Sequence, residues 1–221
     1  MKIKLVQQRI CYRLTPLGWS LILGANLILV FVIVRTIAVF LVVNKPLETE
    51  ILIVDGMMPG YAYDSIVALA VKNNYHYLIT AGVNMDYTFN SSEKFNTAEF
   101  SYKVLSTKKL DKCELFKAPA SSVDRDRTFT SAMKVRDWFI SNKLFPSKVN
   151  VISFSCHSRR TWILYRKAFH DFAEVGIIAI NDNSYDYNKW YRTSKGVRMI
   201  LSETIGYLYT KIFFHPKVNS L

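Results

Sequence analysis

The chain is poor in the residues that staple a fold or bind metals. Three cysteines among 221 residues, Cys11, Cys113 and Cys156, are too few for a disulfide framework. One Cys113–Cys156 bridge is conceivable in an oxidising compartment, but both sit in or beside strand-like runs, which favours two unpaired, buried thiols. The four histidines, His76, His157, His170 and His215, are far apart and show no ligand spacing. Asp55, Asp86, Glu93 and His157 could meet around a divalent ion, though nothing in their spacing requires it. There is no internal repeat and no low-complexity tract, and acidic residues are missing altogether from the first 43 positions.

What those positions hold instead is a run from Trp19 to Val43, 25 residues with a single charge at Arg35. About 20 apolar residues suffice to carry a helix across a hydrocarbon core of about 30 Å. Arg35 lies towards the C-terminal end, where its side chain can snorkel or the helix can leave the bilayer early. The run lacks the polar stripe expected of a buried core helix. A cleaved signal peptide is the competing reading, disfavoured by the length of the apolar region and the lack of a small-x-small cleavage site. Lys2, Lys4, Arg9 and Arg13 precede the run, whereas Lys45, Glu48 and Glu50 follow it. The positive-inside bias therefore places the N-terminus in the cytoplasm and the remaining domain outside. The expected organisation is a cytoplasmic segment over 1–18, a single-pass inner-membrane helix over 19–43, a linker over 44–49, one domain over 50–215 and a tail over 216–221.

The formal charge of +12 divides unevenly. Five basic residues belong to the anchor region, leaving 24 basic against 17 acidic residues in the outer domain, a surplus of seven. That surplus suits anionic lipid headgroups or acidic envelope polymers, and plain solubility explains it equally well. A nucleic-acid partner is not expected for a domain held across a membrane.

Beyond Pro46, strand-length apolar runs alternate with segments of helical period, which predicts an α/β fold with a mainly parallel, five-stranded, doubly wound sheet. The strands are expected over Glu50–Val54, Tyr75–Thr80, Cys113–Lys117, Val149–Phe154 and Val175–Ile180. Helices are expected over Tyr63–Asn73, Glu93–Thr107, Phe129–Asn142 and Arg160–Phe172. Near the end, Ile205, Leu208, Tyr209, Ile212 and Phe213 form an apolar stripe at helical spacing, read as a face packed on the sheet. A membrane-surface role is the minority reading, motivated by the aromatics and by Lys211 and Lys217. The loop Asp182–Tyr191 is the most polar-aromatic connection; it could cover a site or be a surface turn.

In such a sheet ligands sit at the carboxyl ends of the strands. There the sequence offers Asp55 and Gly56, then Ala81, Gly82 and Asn84, then Ser153, Ser155 and His157. The segment SFSCHSRR, Ser153–Arg160, crowds an imidazole and two guanidinium groups into the start of a helix, where backbone donors favour an anion. Arg160 can grip phosphate or carboxylate, and His157 can act as acid, base or neutral donor. Equally, His157 could merely cap the helix while Arg160 pairs with a surface acid. Cys156 beside His157 suggests a nucleophile and its base, but sequence neighbours seldom face each other. In DRDRTFT, Asp124–Thr130, Arg127 and Thr128 open another helix, and Thr128 is explained by capping alone.

Taken in order, these segments resemble the SanA/ElyC/YdcF-like family over nearly the whole outer domain. The likeness rests on Gly56, the turn Ala81-Gly82-Val83, Glu93, the pair Arg127-Thr128, and His157 with Arg160 as a His-x-x-Arg motif. Val83 stands where the family has a second glycine, and Arg127 where it has asparagine. Glu203 looks like a further family acid. The resemblance implies a Rossmann-like fold tethered to a membrane and a role in envelope integrity or peptidoglycan-related metabolism. The expected site comprises His157, Asp55 and Glu93 for chemistry and Gly56, Gly82, Thr128, Ser155 and Arg160 for binding an anionic small molecule or lipid-carrier headgroup, with no particular cofactor indicated. A non-catalytic tethered module that holds an envelope protein, and a nucleotide-type cofactor binder or transferase, are the alternatives.

Overall fold

A computed structural model describes residues 12–85 and 95–216. The chain divides into two compact units, Met1–Thr36 and Ile37–Leu221.

The first unit is dominated by helix α1, Pro16–Leu41, whose last turn belongs to the second unit. Pro at the first helical position has no N–H to strand, and the Thr15 hydroxyl accepts from the Gly18 N–H at 3.2 Å, which caps the start. At 26 residues the helix is long and apolar enough to cross a membrane. Its polar side chains turn back onto the helix: Ser20, Asn26 and Thr36 donate to the carbonyls of Pro16, Ile22 and Val32 at 2.8–2.9 Å. Groups satisfied within their own helix need no water, which suits a lipid environment. Arg35 lies over the Phe31 ring at 5.1 Å.

The second unit is α/β with a mixed, mostly parallel six-stranded sheet. Strand β1 (Ile51–Asp55) lies between β2 (Tyr77–Met85) and β5 (Lys148–Phe154). On one side β4 (Glu114–Ala120) pairs with β2, and on the other β6 (Glu174–Ile180) pairs with β5, all in parallel. The sixth strand, β3, is only Phe95–Asn96 and runs antiparallel to the end of β2. It occupies the stretch expected to begin a helix. Asn96 explains why: its side chain accepts from the Ala98 and Glu99 N–H groups, so it caps helix α3 (Thr97–Ser106), while its amide donates to Asn84 and to the Ala120 carbonyl.

Side chains alternate across the strands and fill two cores. Ile53, Ile79, Val151 and Ile177 pack with Val135 and Phe139 of α4 (Arg127–Ser141) and Tyr165 of α5 (Ser158–Ala168). Leu52, Leu78, Ile152 and Ile178 pack with Tyr63 and Ile66 of α2 (Gly60–Lys72) and Leu105 of α3. The sheet is thus covered by helices on both faces, which is why its strands read as continuous apolar runs.

Helix α6 (Ser194–Ile212) corrects one expectation. Its stripe does not pack on the sheet: Ile205, Leu208, Ile212 and Phe213 are 47–73 % exposed. The helix is seated through its opposite side, where Gly196, Ile200, Glu203 and Thr210 are buried. Polar contacts to α5 hold that side, since Arg160 pairs with Glu203 and Lys167 donates to the Thr210 carbonyl at 2.7 Å.

The expected linker is stitched to the sheet rather than free. Lys45 exchanges backbone hydrogen bonds with Ile177 at 2.7 and 3.0 Å. Leu47 exchanges two with the side chain of buried Asn150, at 2.9 and 2.8 Å. Just before it, the Val43 N–H donates to the Ser158 hydroxyl at 2.9 Å. Cys113 and Cys156 are free thiols, the first half-buried and the second fully buried.

The Ala81-Gly82-Val83 segment, expected as a turn, lies inside β2, because pairing with β4 continues through Gly82 and Val83 and pairing with β3 through Met85. Gly82 is needed for packing. A Cβ there would fall 2.1 Å from Thr97 Oγ1 and 2.5 Å from the Ala98 backbone nitrogen, where α3 begins. Gly82→Ala is therefore expected to cost about 1–3 kcal/mol through overpacking. Chemical denaturation of the detergent-solubilised chain measures it, and an unchanged midpoint would show that α3 can retreat freely.

Candidate functional site

The site is built where β5 hands over to α5. Ser155 takes a left-handed φ of 56°, uncommon for a residue with a Cβ, and starts a single 3-10 turn, Ser155–His157, that runs into α5. His157 occupies the cap position of α5 but its side chain makes no capping bond. Instead Nδ1 lies 3.1 Å from Glu203 Oε2 on α6. One turn on, Arg160 donates to the same carboxylate twice, from Nε at 2.9 Å and Nη2 at 3.1 Å. Its Nη2 also stands 3.1 Å from His157 Nδ1.

Glu203 is the only acid in α6 and is 8 % exposed, so the partner of Arg160 is a buried acid and not a surface one. Burial alone would push this carboxyl up. The hydrogen bond and charge of His157, followed by those of Arg160, more than offset it and hold the group at about 2. Gly206 lets the helix close over the pair, since a Cβ there would stand 3.0 Å from Arg160 Cδ and Nε.

Asp55 ends β1 and takes the opposite shift. Burial pushes its carboxyl up to about 6, even though the His157 charge, a 2.9 Å bond donated by the Tyr165 hydroxyl and the Arg160 charge all pull it down. The next residue, Gly56, has a φ of 74°, which turns the chain sharply at the strand end. Its N–H donates to the Ala81 carbonyl and its carbonyl accepts from Ser101.

These groups face a cavity of about 650 Å³ at the carboxyl ends of β1 and β2. Six of the sequence-predicted residues line it together: Asp55, Gly56, Gly82, Thr128, His157 and Arg160. Thr128 lies in the first turn of α4 and does not cap it; the cap is Asp126, left-handed at φ 56° and without a side-chain capping bond. The start of this 15-residue helix thus faces the cavity with Arg127 and Thr128. Among the described residues, neither Arg125 nor Arg127 stands within ion-pair distance of an acid, although Asp124 and Asp126 also line the wall.

Ser155 is not among the lining residues. Its buried hydroxyl accepts from the Tyr187 hydroxyl at 2.7 Å and lies 3.4 Å from that of Tyr185. The Asp182–Tyr191 loop therefore turns Tyr185 and Trp190 into the protein rather than presenting them to a partner. The Cys156 thiol is buried against Tyr185 and pushed up by that burial, the reverse of what a nucleophile needs. Glu93 and Asp86 lie outside the described residues. No group of three metal-ligating side chains occurs among the described residues.

Sequence reasoning missed Tyr165, Gly206 and Arg125 and touched Glu203 only through the resemblance. The one signal available for Glu203 was its isolation: a lone acid in an otherwise neutral and basic helix. Comparison with protein-family models, with curated proteins and with solved structures finds no match for this chain.

Chemically, the wall combines an imidazole fixed by a buried carboxylate, a carboxyl raised by burial to about 6 and a helix start flanked by guanidinium groups. The two carboxyls have opposite effects on stability. Asp55 is neutral in both folded and unfolded chains below pH 3.8; as pH rises from there to about 6 only the unfolded chain ionises, so stability falls. Asp55→Asn is accordingly expected to stabilise the fold at pH 7 by about 3 kcal/mol and to change little near pH 3. Glu203 stabilises above pH 4.5 and loses its contribution as pH falls towards about 2. Glu203→Gln should then cost about 3 kcal/mol at pH 7, having left Arg160 without its counter-charge. Unfolding midpoints across that pH range check both, and an Asp55→Asn variant less stable at pH 7 would contradict the assignment.

Proposed function

We propose that this chain is a membrane-anchored protein of envelope biogenesis or integrity, of the SanA/ElyC/YdcF-like kind, whose strand-end cleft binds an anionic small molecule or lipid-carrier headgroup and moves a proton at it. On this reading α1 spans the inner membrane once and the second unit is a Rossmann-like, doubly wound domain outside the cytoplasm. The observation that carries it is the convergence of Asp55, Thr128, His157 and Arg160, from three separate stretches of chain, on one cavity. A volume near 650 Å³ is that of an ordinary small-molecule site.

Each part has a task. The N–H groups at the start of α4, with Arg127 and Thr128, hold the anion. Arg160 uses Nε and Nη2 on Glu203 and keeps Nη1 for the ligand. Glu203 takes the Nδ1 proton of His157 in a hydrogen bond, which orients the ring and leaves Nε2 as the nitrogen that exchanges a proton with substrate or water. Asp55, poised near 6, orients a polar group or water and serves as a second proton carrier.

The test uses the full chain in detergent, with inorganic pyrophosphate as the probe. Arg127→Ala and Thr128→Val should weaken pyrophosphate binding by about tenfold, or about 1.4 kcal/mol. His157→Gln should bind it nearly as well but fail to restore envelope integrity to cells lacking the protein. Unchanged binding in the first two variants, together with full restoration by the third, would overturn the reading.

A further inference from the structure

We infer that the exposed stripe of α6 is a membrane-contact face that lies on an anionic lipid surface beside the point where α1 ends, holding the mouth of the cleft at the level of the lipid headgroups. This deepens the membrane-anchored reading and rests on it.

The stripe is made for an apolar phase. Leu201, Ile205, Leu208 and Ile212 follow one another at helical spacing on the side opposite the buried Ile200 and Glu203, and all are exposed, Ile205 at 68 %. Tyr209 and Phe213 widen the face, their rings stacked with centroids 6.5 Å apart. Continuous apolar exposure along three turns is unusual on a water-facing helix and marks a contact surface. The charges around it choose the partner: Arg198 heads the stripe one turn before Leu201, Lys211 flanks it, and the sole acid of the helix points inward to Arg160. An amphipathic helix with cations at its edges and aromatics on its apolar side lies in the plane of an anionic interface.

Position argues the same way. In the last turn of α1, Phe40 packs edge-on against Tyr207 of α6 at 5.2 Å, and Arg159 covers the Phe40 ring at 3.9 Å and donates to its carbonyl. The stripe therefore lies within about one helix diameter of the end of α1. There is no slack beyond it, since Val43, Lys45 and Leu47 are all bonded to the domain. The end of α1 is thus part of the second unit itself, and α6 offers the apolar surface beside it. Gly206, Tyr209 and Thr210 also line the cavity, so a ligand whose headgroup enters the cleft can keep its hydrocarbon tail in the lipid.

The test uses the native full-length chain in vesicles of phosphatidylethanolamine and phosphatidylglycerol that carry a photoactivatable group in the phosphatidylglycerol acyl chain. After irradiation and trypsin digestion, lipid adducts are located by mass spectrometry. The expected result is labelling of peptide 199–211 about fivefold above peptide 144–148, which carries the equally exposed Phe145. Ile205→Glu with Leu208→Glu should abolish the α6 adducts and leave those in α1 intact. Adducts in α1 but not in α6, or equal labelling of the two second-unit peptides, would overturn the inference and leave the anchor standing. Adducts in α6 without any in α1 would overturn the membrane-anchored reading on which the inference rests.

Discussion

Glu203 holds the site in shape because it is a largely buried carboxylate that its neighbours keep charged against the pull of burial. Buried on α6, it remains ionised by keeping His157 and Arg160 against it, and those two side chains come from the cap and the first turn of α5. The ion group is thus a strut between two helices as well as the device that turns an imidazole towards the cavity. Replacing such a group by well-packed apolar residues often costs nothing, so its presence here argues for what it positions rather than for stability. Gly206 belongs to the same device, since a Cβ there would press on the Arg160 stem at 3.0 Å.

The same seating explains the outward face of α6. A helix fixed by a carboxylate, a glycine and a carbonyl that accepts from Lys167 uses its polar side for packing, and its apolar side is left over. This inverts the ordinary arrangement of a surface helix and makes sense where the surroundings are apolar. The bonds that clamp Val43 to Leu47 onto the domain supply a second constraint: the end of α1, the stripe and the cavity form one continuous region of the second unit.

Much of the fold was legible because strands covered on both faces announce themselves as apolar runs. The five expected strands are all present, with ends shifted by a few residues. Legibility failed where long-range pairing overrides local signals. Gly82 and Asn84 look like turn residues, and only the pairing with β3 and β4 keeps them in a strand. The spacing of Ile205, Leu208 and Ile212 correctly predicted a helix with an apolar face, but periodicity does not say what that face meets. In the site, His157 and Arg160 were visible as a crowded motif. The raised carboxyl of Asp55 was not, since it depends on burial that exists only after folding and that outweighs the pull of a Tyr165 hydroxyl 110 positions away.

The account stands most directly on the proton carried by His157 Nδ1. Nitrogen-15 NMR of the imidazole ring in the full-length chain reads which nitrogen is protonated. We expect the neutral ring to carry its proton on Nδ1, donated to Glu203, and to lose that preference in Glu203→Gln. A ring protonated on Nε2 in the native chain, with Nδ1 accepting from Arg160, would contradict the account, because the nitrogen meant to receive a proton in the cleft would already hold one.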